Sequence, residues 1–256
     1  MSETASYCSS SSVNSTTLRR RSASKARRYT KLFDHIIAVS EAARLALVES
    51  GVPRSHVEVA KAGCPAVPVR QPPASPFRAA FFGRLVKEKG AHILVEAARV
   101  AADVQFDVYG DGPERTFLMQ GSPGNVRYHG AVPDVAGPMG GSSCVVVPSI
   151  WAEAFPFAVL EAMSAGRCVV ASKAGGLPEM VQEGVTGLLV PPGDPQALAD
   201  VLSRLAQEPA TVAEMGRRAS DVHAEEFTIE RMAERIEAVY LGCLARDGTN
   251  AGKRTL

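Results

Sequence analysis

At 256 residues the chain has room for one large domain, or a domain and a half. Its composition, 46% hydrophobic and 21% charged with a net charge of +1, is that of an ordinary globular protein, and no window holds the run of about 18 apolar residues that a membrane span needs. Residues 1–31 carry seven Lys/Arg against one Glu, so the remaining body is net −5, which argues against general nucleic-acid binding.

Residues 1–24 are Ser/Thr-rich and acid-poor, without apolar periodicity, and predict a disordered tail. Such a composition also describes an organellar transit peptide, although a plain tail or a misplaced start is the simpler reading. Ordered structure is expected from about Lys31. FDHIIAVS reads as a strand, Ser40 as the N-cap of a helix running to Gly51, and VEVAKAG as a second strand before a Pro-rich linker from Pro65 to Pro76. Strands follow at Phe77–Phe82, Val104–Tyr109, Val126–Gly130, Cys144–Val147 and Cys168–Ala171, with another in TGLLVPP. Helices are predicted over His92–Ala102, Leu177–Gln182, Pro195–Gln207, Thr211–Phe227 and Thr228–Ala245. Alternation of this kind predicts an α/β fold with a doubly wound parallel sheet and ligands at the carboxyl ends of its strands.

The stretch from Cys144 to Gly166 carries the strongest signal. An apolar strand feeds a loop, Pro148 to Phe155, and then a helix with Pro156 at its start and Gly166 just past its end. That arrangement aims backbone N–H groups and the positive end of the helix dipole at one spot, which suits a phosphate. Glu153 stands before the spot and Glu161 about one and a half turns beyond it, so two carboxylates bracket a phosphate-bearing ligand. In F-F-G-R-L-V-K-E-K-G, residues 81–90, Gly83 ends a strand, and Arg84 and Lys89 follow on the turn. A guanidinium fork and a mobile ammonium together could neutralise a diphosphate without a metal. V-Y-G-D-G-P-E, residues 108–114, reads as a tight turn that shapes a cleft.

E-A-F-P-F-A-V-L-E and G-R-L-V-K-E-K-G resemble the E-x7-E element and the phosphate-binding signature of the retaining GT-B glycosyltransferases of the group 1, family 4 class. G-D-G-P and A-G-G-L-P-E (residues 174–179) are similar to two further turns of that family, and the likeness extends over about residues 31–245. The resemblance implies transfer of a glycosyl group from a nucleoside-diphosphate sugar with retention. Arg84, Lys89 and Glu153 are then catalytic. Gly83, the N–H groups of Phe157 and Ala158, and Glu161 bind the donor. Glu161 would accept from the ribose hydroxyls and Glu153 from a sugar hydroxyl, while V-R-Y-H-G (126–130) would lie at the base, with His129 structural. Gly175 and Gly176 would let backbone approach a ligand, and Glu179 reads equally as a charge at a helix N-terminus or as a ligand contact.

No cofactor or metal is expected. There is no Asp-x-Asp, no G-x-S-x-G and no Walker lysine loop, and the five histidines show no paired spacing. Five scattered cysteines without C-x-x-C fit a reducing compartment and a cytoplasmic location, with Cys144 and Cys168 as small core hydrophobes. The expected division is a Ser/Arg-rich tail (1–24), a remnant of an N-terminal domain with its linker (25–70), a donor-binding domain (71–227) and a closing helix and tail (228–256). A family member so divided lacks most of its first domain. Its acceptor (a sugar, lipid or small molecule) stays open, and a partner chain, self-association or peripheral membrane contact is expected to cover what that domain would. A non-catalytic nucleotide-sugar-binding half is the alternative reading.

Overall fold

The structure, a computed structural model, describes residues 33, 35–69 and 71–251; the tail expected over 1–24 lies outside them. All strand pairings are parallel. Strands β1 (Ile36–Ala38) and β2 (Val57–Val59) form a two-stranded sheet of their own, crossed over by helix α1 (Glu41–Glu49). Ser40 caps α1 as its sequence position predicts, its hydroxyl accepting from Ala43 N–H at 3.1 Å.

The main sheet has six strands: β3 (Arg78–Phe82), β4 (Gln105–Tyr109), β5 (Val126–Gly130), β6 (Cys144–Val147), β7 (Cys168–Ser172) and β8 (Gly187–Val190). Their order is β5-β4-β3-β6-β7-β8, so winding reverses between β3 and β6. Strands β6 and β7 are buried at every position, as uninterrupted apolar runs should be when both faces of a sheet are covered. Edge strand β5 alternates between half-buried and exposed residues instead.

The two cores follow from this alternation. Ala79, Phe81, Phe106, Val108, Val146 and Val170 point to one face, under α2 (Ala91–Val100) and α7 (Pro195–Gln207). Val145, Val147, Val169 and Ala171 point to the other, under α5 (Phe157–Ser164) and α8 (Pro209–Glu226). The predicted face of α2, Ile93, Leu94, Ala97 and Ala98, is buried. Short α6 (Leu177–Met180) starts where expected and ends two residues early, and the closing helix α9 (Ile229–Ala251) runs six residues past its expected end at Ala245. Two short helices were not anticipated, α3 (Arg115–Gly121) and α4 (Ala136–Gly140). Helix α3 buries only Leu118, so it leaves no apolar stripe to read, and α4 is written in the Gly and Pro of a loop.

The segment after β2 is fastened near its start. Cys64 N–H donates to Phe227 C=O at 2.9 Å, and Lys61 pairs with Glu226 at 3.2 Å. Further on, the guanidinium of Arg167, 2% exposed, donates to the carbonyls of Met139 and Gln71, each at 2.8 Å. Its charge is thus satisfied by carbonyl dipoles alone, and burial lowers its pKa from the usual arginine value. Among the described residues no helix is long and apolar enough to cross a membrane.

Candidate functional site

At the carboxyl edge of the main sheet, above the point where winding reverses, lies a cleft of about 610 Å³. Gly83, Arg84 and Lys89 reach it from the β3–α2 loop, and Phe157, Ala158 and Glu161 from the first turns of α5. Six of the seven residues singled out in the sequence therefore meet in one place. Gly110 and Asp111, from the Gly-Asp-Gly turn, complete one wall, and Ala131, Val132 and Val135, just past β5, complete another.

Helix α5 starts without a side-chain cap, because Pro156 holds the N-cap position in extended backbone (φ −71°, ψ 129°). The N–H groups of Phe157 and Ala158 are among the first donors of the helix, which have no intrahelical acceptor, and both residues line the cleft. Arg84 is exposed and enters no ion pair among the described residues. Glu161 sits between fully buried Leu160 and Ala162, and desolvation raises its pKa above the ordinary carboxylate value. Among the described residues it has no hydrogen-bonding partner. A half-buried carboxylate left open in one cleft with two cations and a helix N-terminus is unusual in a protein that only needs to fold.

Glu153 occupies a different place from the one expected. It does not line this cleft; its Oε1 accepts from Lys89 Nζ at 2.6 Å and from Ser149 Oγ at 2.7 Å. Two predicted catalytic residues are thus paired with each other. Ser149 is fully buried, and nothing in its sequence context signalled a role. Backbone contacts fix the pair. Ile150 N–H donates to Glu88 C=O at 3.0 Å, and Gly90, at φ 72°, passes so close that a Cβ there would lie 1.9 Å from Pro148 C=O. Glu153 also lines a second cleft, of about 480 Å³, with Ala42, Ala43 and Leu47 of α1. Lys89 and Glu153 are therefore part of the wall between two cavities.

Two further expectations need correction or refinement, and that for His129 stands. The Gly175–Gly176 turn packs on the protein's own loop, with Gly176 N–H on Glu153 C=O at 2.7 Å, while Gly175 also lines the second cleft. Glu179 is indeed a helix N-terminal charge, but its partner is α1: its two carboxylate oxygens accept from Glu41 N–H at 2.8 Å and Ala42 N–H at 2.7 Å. His129 Nε2 donates to buried Asp107 (2.7 Å), which also takes a two-point contact from Arg78 (2.8 and 2.6 Å), in keeping with a structural role. Its ring stacks on Tyr109, and Tyr109 stacks on Phe82, with centroids 4.4 and 4.8 Å apart. Phe82 and Tyr109 line the cleft and were missed; each directly precedes a glycine that ends its strand, which was the available signal.

Other reactive groups are spoken for. Cys64 lies buried against His223 (3.4 Å), and burial, with the charge of Glu161 second, pushes its thiol up to about 11. Cys144 and Cys168 face each other in register within the core as free thiols. Among the described residues no group of three or more His, Cys, Asp or Glu is placed to hold a metal ion.

Comparison with known proteins adds the following. Residues 76–208 match the sequence profile described as Glycosyl transferases group 1. A D-inositol 3-phosphate glycosyltransferase of Arthrobacter sp. (strain FB24) is 36% identical over 176 residues, 63% of this chain and 41% of the relative. An alpha-D-kanosaminyltransferase of Streptomyces kanamyceticus is 28% identical over 174 residues, covering 62% of this chain and 44% of the relative. The chain thus spans less than half the length of these two relatives. Among solved structures, Anabaena HepE in complex with UDP and glucose superposes with a TM-score of 0.76 at 25% identity, covering 86% of this chain and 67% of that one.

Proposed function

Because the chain belongs to the group 1 glycosyl transferases, we propose that its main cleft holds a nucleoside-diphosphate sugar and that the glycosyl group leaves from it with retention, as in family 4 enzymes. The observation that carries this reading is Glu161, a half-buried carboxylate without a partner among the described residues, set in one cleft with Arg84, Lys89 and the open N–H groups of Phe157 and Ala158. Ribose hydroxyls would give Glu161 the donors it lacks. The diphosphate would sit against the N-terminus of α5, and Arg84 and Lys89 would stabilise its charge as it departs. Glu153 would hold a hydroxyl of the donor sugar. With two cations and a helix dipole on the diphosphate, binding proceeds without a divalent ion. The UDP held by Anabaena HepE supports this donor class.

The test is a titration of the full chain with UDP, GDP and ADP while thermal stability is followed, in chelator and again in magnesium. One of the three should raise the Tm in proportion to saturation, in chelator as well as in magnesium. Glu161→Ala should weaken that nucleotide by about ten- to a hundredfold, the size of lost hydrogen bonds to a charged group. If none of the three shifts the Tm, the donor-site reading is wrong. A shift that requires magnesium would remove Arg84 and Lys89 as the charge neutralisers.

A further inference from the structure

The contact between Lys89 and Glu153 has a meaning beyond the role of either residue alone. Lys89 lines the cleft, and its ammonium is held by a carboxylate 2.6 Å away. That carboxylate is not loose. Its Oε1 is shared with the hydroxyl of fully buried Ser149, its side chain is 15% exposed, and its backbone carbonyl accepts from Gly176 N–H. Oε2 has no partner among the described residues.

We propose that Glu153 is an internal competitor for Lys89, which sets the affinity for the sugar-free nucleoside diphosphate low relative to the intact donor. The inference rests on the donor-site reading above. A diphosphate entering the cleft must draw Lys89 from Glu153, and so leaves a fixed anion close to its own charge and without its counter-ion. With an intact donor, a sugar hydroxyl donates to the vacated carboxylate and offsets that cost. With the spent nucleotide nothing does, so Lys89 returns to Glu153 and the product is released. Ser149 donates to the same Oε1 and so holds it where Lys89 meets it.

The experiment is a thermodynamic cycle on the full chain. Dissociation constants for UDP, GDP and ADP are measured by calorimetry for the native chain, Glu153→Gln, Lys89→Gln and the double variant. Glu153→Gln should bind the preferred nucleotide about three- to tenfold more tightly than the native chain, because Lys89 is freed and a like charge removed. In the Lys89→Gln background the same change should have little effect, since no competition is left to relieve. Unchanged or weaker binding by Glu153→Gln would overturn the proposal, as would an equal gain in both backgrounds, which would reduce the effect to general repulsion. If the native chain binds none of the three nucleotides, the donor-site reading fails together with this one. Should Glu153→Gln not melt cooperatively, Glu153→Asp, whose carboxylate is withdrawn by one methylene, must show the same direction.

Discussion

Glu161 shows how a single side chain can be costly to an empty protein and useful to a filled one. Burial raises its pKa above the ordinary 4.5. The folded chain therefore holds this proton more tightly than the unfolded one. The contribution to stability is fully present below the ordinary value and is lost as pH rises through the raised one. At neutral pH the ionised group is a net burden on the ligand-free fold. Glu161→Gln, neutral and of the same shape, should raise the Tm of the ligand-free chain at pH 7 by roughly a few degrees. The gain should shrink as the buffer is acidified towards 4.5, while nucleotide no longer adds its full stabilisation. A Gln variant that melts at or below the native chain at pH 7 would show that the carboxylate is compensated in some other way. Nucleotide binding by the native chain should weaken on acidification through the same range, since a protonated Glu161 is a poorer acceptor.

Among the elements, helix α1 has the local Ser40 cap but satisfies two more of its N-terminal N–H groups from far along the chain. Glu179 accepts from the N–H groups of both Glu41 and Ala42 across 138 and 137 positions of sequence, and so ties the two-stranded sheet to the turn that also braces Glu153. Glu179→Ala should cost about 1 kcal/mol, the usual size of a lost N-cap. The loss should appear locally, as faster hydrogen exchange at Glu41 and Ala42 with the protection of β6 and β7 unchanged. Uniform loss of protection would place Glu179 in the global fold instead. What could be foreseen divides along the same line between local and distant. Strand β6 and helix α7 match their expected bounds residue for residue, because an apolar run and a Pro-led amphipathic stripe are local signals. Arg84, Lys89 and Glu161 could be placed at a cleft because each follows a strand or helix boundary at the carboxyl edge of the sheet. The Lys89–Glu153 contact spans 64 residues, and both side chains have sequence neighbours that give no hint of it. Arg167 is similar. Beside Gly166 it reads as a surface cation, yet its partners are carbonyls brought from residues 71 and 139 by the path of the linker and of α4.

At the scale of the whole molecule, Arg167 holds together parts that have few other reasons to meet: the linker, the end of α4 and the start of β7. Arg167→Ala would leave those carbonyls buried and unpaired, at about 2–4 kcal/mol. Denaturant unfolding should show this as a lower midpoint with an unchanged slope; a change within 0.5 kcal/mol, the usual size for a surface site, would mean that water replaces the guanidinium. The order of the main sheet has a kinetic consequence as well. Strands β3, β4 and β5 form one block and β6, β7 and β8 another, joined where Ala79 pairs with Cys144 and Ala80 with Val145. Gly83, Arg84 and Lys89 belong to the first block, Phe157, Ala158 and Glu161 to the second, and the cleft lies over the joint. A nucleotide seated there is a tie bar between two plates. It cannot hasten the making of either plate, but it must be let go before they part. Saturating nucleotide should therefore slow the unfolding limb of the chevron and leave the refolding limb almost where it was.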